Sequence, residues 1–320
     1  MDIDYLMVLQ QFREGPGQFL RDFLLQMTNI TDKSTDIVIV AIIYWCVSKK
    51  YGSWLWLGWS ANRLVNGFLK VTACVYRPWI RSSEIIPDAE AKLDATGYSF
   101  PSGHSTNAAS LFGSGILYKG FKLRQRILFA VLSILVLFSR NYLSVHTPQD
   151  VLVGFFTGLL IMYLVSRLME WLEKHPEKEP VFTVCGIVLA VAVGIYAGVK
   201  SYPVDYDADG KILVDGAKMA KDTFKASGWC LAVLAGRLLE KRYVGFSTDV
   251  SLNDKIFRLT AGLTGFYVLN DIICPVIKDL ITNPMGTVIS SFLPVFYIVF
   301  LAPLLFVKLE KETVKTKTPA

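Results

Sequence analysis

Two histidines and three basic residues stand in this chain in an order that could handle a phosphate. They are Lys70 and Arg77 in KVTACVYRP, His104 in PSGH, and Arg140, His146 and Asp150 in SRNYLSVHTPQD. Cations can hold phosphoryl oxygens, Arg as a two-pronged fork and Lys as a point charge. A histidine oriented by a carboxylate can attack phosphorus, and a second histidine can supply a proton. The chain has only three histidines, and this set uses two of them.

The pieces need helix ends to position them. Lys70 and Arg77 are seven residues apart, close to two helical turns, which places both on one face of a helix that Asn66 and Arg63 extend. Taken alone, the pair also fits side chains snorkelling toward lipid headgroups. In PSGH, Pro101 suits a first helical turn, so the backbone N–H groups of Ser102 and Gly103 are expected to face an anion. His104 follows in that turn, although a lone histidine there more often bonds a loop. Thr147, Pro148 and Asp150 read as N-cap, N1 and N3 of the next helix, close to a capping box. His146 then sits just before the cap, and Asp150, four residues on, is in reach of its ring or only caps the helix. Arg140 ends the preceding helix.

The composition puts these helices in a membrane. Of 320 residues, 52% are hydrophobic and 19% charged, with mean hydropathy +0.41, against roughly 25% charged in ordinary globular proteins. Several apolar runs approach the ~20 residues that cross a bilayer. The fold class expected is all-α, a polytopic helical bundle of about nine spans; a soluble helical bundle is the weaker alternative. The spans run roughly Thr35–Val47, Ser53–Tyr76, Ser102–Tyr118, Ile127–Leu143, Pro148–Leu168, Val181–Val199, Asp222–Leu239, Ile256–Leu280 and Pro284–Val307. Basic clusters at 49–50, 119–126, 167–178, 241–255 and 308–317 then share one side, which the positive-inside rule makes cytoplasmic. Nine crossings put the N-terminus outside and the C-terminus inside.

The organisation follows: an amphipathic interfacial segment at 1–33, a core at 34–175, further transmembrane helices at 176–307, and a basic cytoplasmic tail at 308–320. A soluble helix packed on a loop accounts for the first segment equally well. The first apolar stretch is short and broken by Gln10 and Gln11, unlike a cleavable leader. The net charge of +6 is a topology signal here, so no nucleic-acid partner is expected. The five cysteines lack metal-ligand spacing and read as small buried hydrophobes. DYDADG at Asp205 to Gly210 lacks the downstream Glu of a calcium loop and reads as an exposed turn.

The pattern K-x6-RP, then PSGH, then SR-x5-H-x3-D resembles that of the type 2 phosphatidic acid phosphatase (PAP2) superfamily, with no departure at the named positions. That superfamily also holds vanadium haloperoxidases and glucose-6-phosphatase. The matching stretch, Lys70 to Asp150, is about a quarter of the chain. The resemblance implies a metal-independent phosphohydrolase without cofactor, working through a phosphohistidine and inhibited by vanadate. It makes His146 the nucleophile, Asp150 its orienting partner and His104 the general acid, later the base. Lys70, Arg77, Ser102, Gly103 and Arg140 would bind the phosphate. The spans after the core are similar in arrangement to those of glucose-6-phosphatase and sphingosine-1-phosphate phosphatase.

The expected substrate is a lipid phosphate, mono- or diphosphate, met at the non-cytoplasmic face. The alternatives are a soluble sugar phosphate, a transporter or flippase using the buried charges, and a haloperoxidase, which the membrane character disfavours. Short loops favour a bacterial plasma membrane with the site facing outward, over an endoplasmic reticulum membrane. A homo-oligomer is compatible with the sequence.

Overall fold

The structure, a computed structural model, describes residues 2–15, 18–31 and 34–317, the side chains of 18 and 311–317 excepted. Parts of the expected N-terminal segment (residues 1, 16–17 and 32–33) and the end of the basic tail lie outside the described residues. The protein is 80% helical, and no strand occurs among the described residues. Only an isolated bridge pairs Tyr206 with Ile212.

The helices are α1 Asp2–Glu14, α2 Gln18–Asn29, α3 Thr35–Ile42, α4 Lys49–Ala73, α5 Pro78–Arg81, α6 Ala89–Asp94, α7 Gly103–Ala108, α8 Ser114–Leu117, α9 Leu123–Tyr142 and α10 Pro148–Lys174. There follow α11 Glu179–Val199, α12 Gly216–Tyr243, α13 Leu252–Tyr267, α14 Cys274–Leu280, α15 Pro284–Phe296 and α16 Ala302–Lys317. Among the described residues, π-helical turns at Ala109–Gly113, Val268–Ile273 and Tyr297–Leu301 join neighbouring helices into longer rods, and one at Ile43–Val47 lengthens α3 before an extended Ser48.

Each expected span is helical, with shifted ends. Among the described residues four stretches are long and apolar enough to cross a membrane: Pro148–Lys174, Pro176–Val199, Leu252–Leu280 and Pro284–Glu310. The other five are shorter, or interleave Lys, Arg and Asn with their apolar residues. Thr35–Val47, for example, is apolar but short.

The chain divides into two compact units. The first comprises Met1–Asp36, Ala61–Ser166 and Ile195–Thr223. In it Leu24 and Leu25 of α2 pack with Ala91, Ala95, Tyr142, Leu143 and Val145. Arg21 forks onto Asp88 at 2.7 and 3.0 Å. Asp88 also caps α6, accepting from the amides of Glu90 and Ala91 at 3.1 Å. Arg13 donates to the carbonyls of Ile86 at 2.6 Å and Tyr142 at 3.0 Å. The N-terminal helices thus pack on the loop before PSGH, and the Phe12 ring stands edge-on to Tyr142, while Phe19 and Val8 stay exposed. A helix packed on a loop and a helix lying at the membrane interface both fit these contacts.

In the same unit Gly154 and Gly158 let α10 approach α7 closely. A Cβ at Gly154 would lie 2.7 Å from the Ser102 carbonyl oxygen, and one at Gly158 2.7 Å from the Ala109 Cβ. Asn62 ties α4 to both, donating to Ser110 Oγ at 2.7 Å and to the Gly158 carbonyl at 3.2 Å.

The second unit comprises Ile37–Ser60, Arg167–Gly194 and Phe224–Ala320. Trp45 is fully buried there. It stands edge-on to Phe306 with ring centres 5.5 Å apart, and its indole N–H donates to the Ile298 carbonyl at 2.9 Å. Its buried charges are paired, as desolvation demands. Arg258 forks onto Glu310 at 2.7 and 2.9 Å, and Arg237 and Lys241 share Glu179.

Candidate active site

All the motif residues fall in the first unit. The loop between α9 and α10 carries His146, and its conformation is set from several sides. Ser144 takes a left-handed φ of 57°. The Arg140 carbonyl accepts from the amides of Val145 and His146 at 3.2 and 3.3 Å. Asn141 holds the His146 carbonyl at 2.9 Å. Thr147 and Asp150 form the reciprocal cap expected of α10: the Thr147 amide donates to Asp150 Oδ2 at 2.8 Å, and the Asp150 amide donates to Thr147 Oγ1 at 3.4 Å.

Asp150 does more than cap. Its Oδ2 lies 3.5 Å from His146 Nδ1 and accepts from Ser99 Oγ at 2.5 Å. On the other side of the ring, Arg77 Nη1 is 2.8 Å from His146 Nε2. A guanidinium has only donors, so Nε2 is the acceptor and the imidazole proton sits on Nδ1, toward Asp150 and Ser99. This is the tautomer in which the lone pair of Nε2 points away from the carboxylate.

Arg77 reaches this place differently from the expectation. α4 ends at Ala73, Cys74 takes a left-handed φ of 49°, and Arg77 is the extended residue before α5. Lys70 and Arg77 therefore do not share a helix face. They meet through the loop 96–99 instead. Arg77 donates to the carbonyls of Gly97 at 3.1 Å, Thr96 at 3.5 Å and Val145 at 2.8 Å. Lys70 Nζ donates to the Tyr98 carbonyl at 3.2 Å. Arg77 is 4% exposed, which is incompatible with snorkelling. Arg63, which helical spacing puts on the Lys70 face, is turned to Asp36 at 2.7 Å.

One further expectation needs adjustment. The Ser102 amide is not free for an anion: it donates to the Asp150 carbonyl at 2.9 Å, because α10 packs so closely here. The Ser102 hydroxyl caps α7, accepting from the Ser105 amide at 3.3 Å. The Gly103 amide is the first helical N–H and has no acceptor among the described residues. His104 follows it in the first turn, half-buried. Asn66 steadies this helix start through the Pro101 carbonyl at 3.3 Å and Thr106 Oγ1 at 3.0 Å.

The electrostatics are one-sided. Lys70, Arg77 and Arg140 bring three cations; Asp150 faces them, and Asp222 also acts on Lys70. Burial, and then the like charge of Arg140, lower the Arg77 guanidinium to about 9. Burial and the Arg77 charge, partly offset by Asp150, hold His146 well below its ordinary value, so its ring is neutral at pH 7. A neutral imidazole among cations has the chemistry to act as a nucleophile toward an anion held by them.

Ser99 and Asn141 were not singled out from sequence. Ser99 is 1% exposed and touches both Asp150 Oδ2 and, at 3.3 Å, His146 Nδ1. A lone serine two residues before a proline carries no periodic signal, and only the fold brings it to the ring.

The PAP2 superfamily model matches residues 52–174, and the model for the PAP2 superfamily phosphatase transmembrane extension matches 224–314. Phosphatidylglycerophosphatase B of Bacillus subtilis (strain 168) is 34% identical over 130 residues, 38% of this chain and 60% of that protein. Glucose-6-phosphatase catalytic subunit 1 of Haplochromis xenognathus is 27% identical over 125 residues, 34% of this chain and 44% of that protein. Its counterpart in Haplochromis nubilus is equally similar, with 35% of its length covered. The chain thus spans about half the length of these relatives. No solved structure gives a significant match.

Proposed function

Because this chain belongs to the PAP2 superfamily and carries its transmembrane extension, we propose that it is a membrane phosphatase acting on a lipid phosphate through a phosphohistidine. The observation that carries the reading is His146, with Nδ1 facing Asp150 and Nε2 facing Arg77 at 2.8 Å. An arriving phosphoryl oxygen takes the Arg77 fork and leaves the Nε2 lone pair to phosphorus. The N–P bond forms as the bond to the leaving oxygen breaks, and His104 donates a proton to that oxygen. In the second step His104 accepts a proton from water, whose oxygen displaces His146 and releases inorganic phosphate. Lys70, Arg77, Arg140 and the Gly103 amide are assigned to the charge on the equatorial oxygens, and Ser102 caps the helix that presents that amide. No metal or cofactor takes part.

The wider assignment is a nine-crossing bundle with the site on the non-cytoplasmic face, in a bacterial plasma membrane. Residues 1–33 lie at the interface, 34–175 form the catalytic core, 176–307 add transmembrane helices and 308–320 form the cytoplasmic tail. The likeness to phosphatidylglycerophosphatase B supports a lipid substrate. The likeness to glucose-6-phosphatase supports a soluble sugar phosphate as the second reading.

Phosphate release by purified protein in detergent decides between them, measured with and without EDTA. The panel holds phosphatidic acid, phosphatidylglycerol phosphate, an undecaprenyl diphosphate and glucose-6-phosphate. EDTA-resistant release from a lipid, lost in His146→Ala, is expected. Equal or better turnover of glucose-6-phosphate overturns the lipid reading, and full activity in His146→Ala overturns the nucleophile.

A further inference from the structure

Residues 195–223 lie in the gap between the two family matches, which end at 174 and resume at 224, yet they are part of the unit that holds the site. They run along the end of α4 on both sides of Lys70. Thr223 packs on Gly67, where a Cβ would come within 3.4 Å of Thr223 Oγ1. The Tyr196 ring lies 5.3 Å from that of Phe68, and its hydroxyl is 3.1 Å from Thr72 Oγ1. Lys200 Nζ donates to Cys74 Sγ at 3.3 Å, and the Tyr76 hydroxyl donates to Asp205.

The segment also reaches the loop that holds Arg77. Gly97 has a φ of +80° and no side chain, and the thioether of Met219 fills the space above it. A Cβ on Gly97 would collide with Met219 Cε and Sδ. Met219 is 2% exposed. The carbonyls of residues 96–98 are the acceptors for Arg77 and Lys70, and Ser99 binds Asp150. A shift of this loop therefore moves two cations and the carboxylate together.

We propose that residues 195–223 form a strap that positions the phosphate-binding cations, with Met219 as a positioning residue acting on Arg77 through Gly97. Met219 touches no phosphate; it fixes the carbonyls that aim the Arg77 fork. The physical premise is that preorganised charge is effective only while it is held, and misplacement by about 1 Å can cost on the order of 10²-fold in rate. The proposal rests on the anion-site reading above but not on the identity of the substrate.

The test is orthovanadate affinity of the full chain in detergent, measured by direct calorimetry and, where there is turnover, as an inhibition constant. Neither readout changes with the fraction of unfolded enzyme once active sites are counted. Met219→Ala is expected to weaken vanadate about tenfold, and Met219→Leu to restore most of it. Met169→Ala, a comparable truncation of a buried methionine elsewhere on α10, is expected to leave it unchanged. In an Arg77→Ala background Met219→Ala should cost clearly less than it does alone, since the Arg77 contact is already gone and only the Lys70 and Asp150 contacts of the loop remain. Unchanged affinity in Met219→Ala, or fully additive losses with Arg77→Ala, overturns the strap. Should Met219→Ala fail to fold, Tyr76→Phe removes a single hydroxyl from the other fastening, and unchanged vanadate affinity there overturns it equally. Failure of wild-type protein to bind vanadate at all sinks the anion-site reading itself.

Discussion

At the residue scale, the site contrasts one ring nitrogen held by acceptors with one held by a cation. His146→Ala is expected to abolish turnover while the protein still inserts and elutes as wild type. Asp150→Asn should lower kcat less completely, because Ser99 Oγ at 3.3 Å remains an acceptor for Nδ1. Arg77→Lys should lower kcat/KM by about tenfold or more, since a point charge cannot replace the fork that reaches three carbonyls and Nε2. Wild-type kinetics in Arg77→Lys would show that the fork is dispensable. The pH dependence follows from protonation. Burial and the Arg77 charge depress His146, and in the proposed mechanism only the neutral ring attacks. The acid limb of kcat/KM attributable to His146 therefore falls below pH 6.5. An acid limb above pH 7 that vanishes in Arg77→Ala contradicts this assignment of charge.

At the element scale, two contacts bear the position of the site. The first is the glycine approach of α10 to α7. Gly158→Leu would drive a side chain into Ala109 and the Thr106 carbonyl, and overpacking of this kind typically costs about 1–3 kcal/mol. A lowered thermal midpoint with weakened vanadate binding is expected; an unchanged midpoint means that the helices have room to part. The second is Asp88, where α2 grips the cap of α6. Burial raises the Asp88 carboxyl, but the Arg21 fork and the Ala91 amide outweigh it and hold the group below its ordinary value. The sign is therefore stabilising above the unfolded carboxylate pKa of about 3.9, and the contribution is lost as pH falls below it. Asp88→Ala should cost about 1–2 kcal/mol at pH 7, in the range of a lost helix cap, and much less near pH 3. Equal destabilisation at both pH values would assign the loss to packing.

At the scale of the whole molecule, the charge pattern predicts an orientation that labelling can test. Basic clusters at 119–126 and 308–317 are placed on the cytoplasmic side, and the loop around Asp205 to Gly210 on the other. In a variant freed of its five cysteines, Asp209→Cys should react with a membrane-impermeant maleimide in intact cells, and Lys122→Cys only after lysis. The reverse pattern would invert the topology and move the site to the cytoplasmic face.

The sequence by itself determined the class and the parts. Apolar runs near bilayer length dictate helices, because a chain in lipid must satisfy its backbone internally. Thr147, Pro148 and Asp150 dictate a helix start through local hydrogen bonds that need nothing distant. These signals survive in one dimension because they depend on neighbours three or four residues away. Arg77 did not obey the helical spacing that joined it to Lys70: the chain breaks at Cys74, with φ 49°, and three carbonyls of the loops around it decide its direction. Likewise the Ser102 amide is spent on Asp150, because two glycines on α10 bring the helices together. Ser99 and Met219 take their places only when segments about 50 to 120 residues apart meet. Those contacts are long-range packing, which no local pattern encodes, and so tertiary structure alone decided how the cations face the ring.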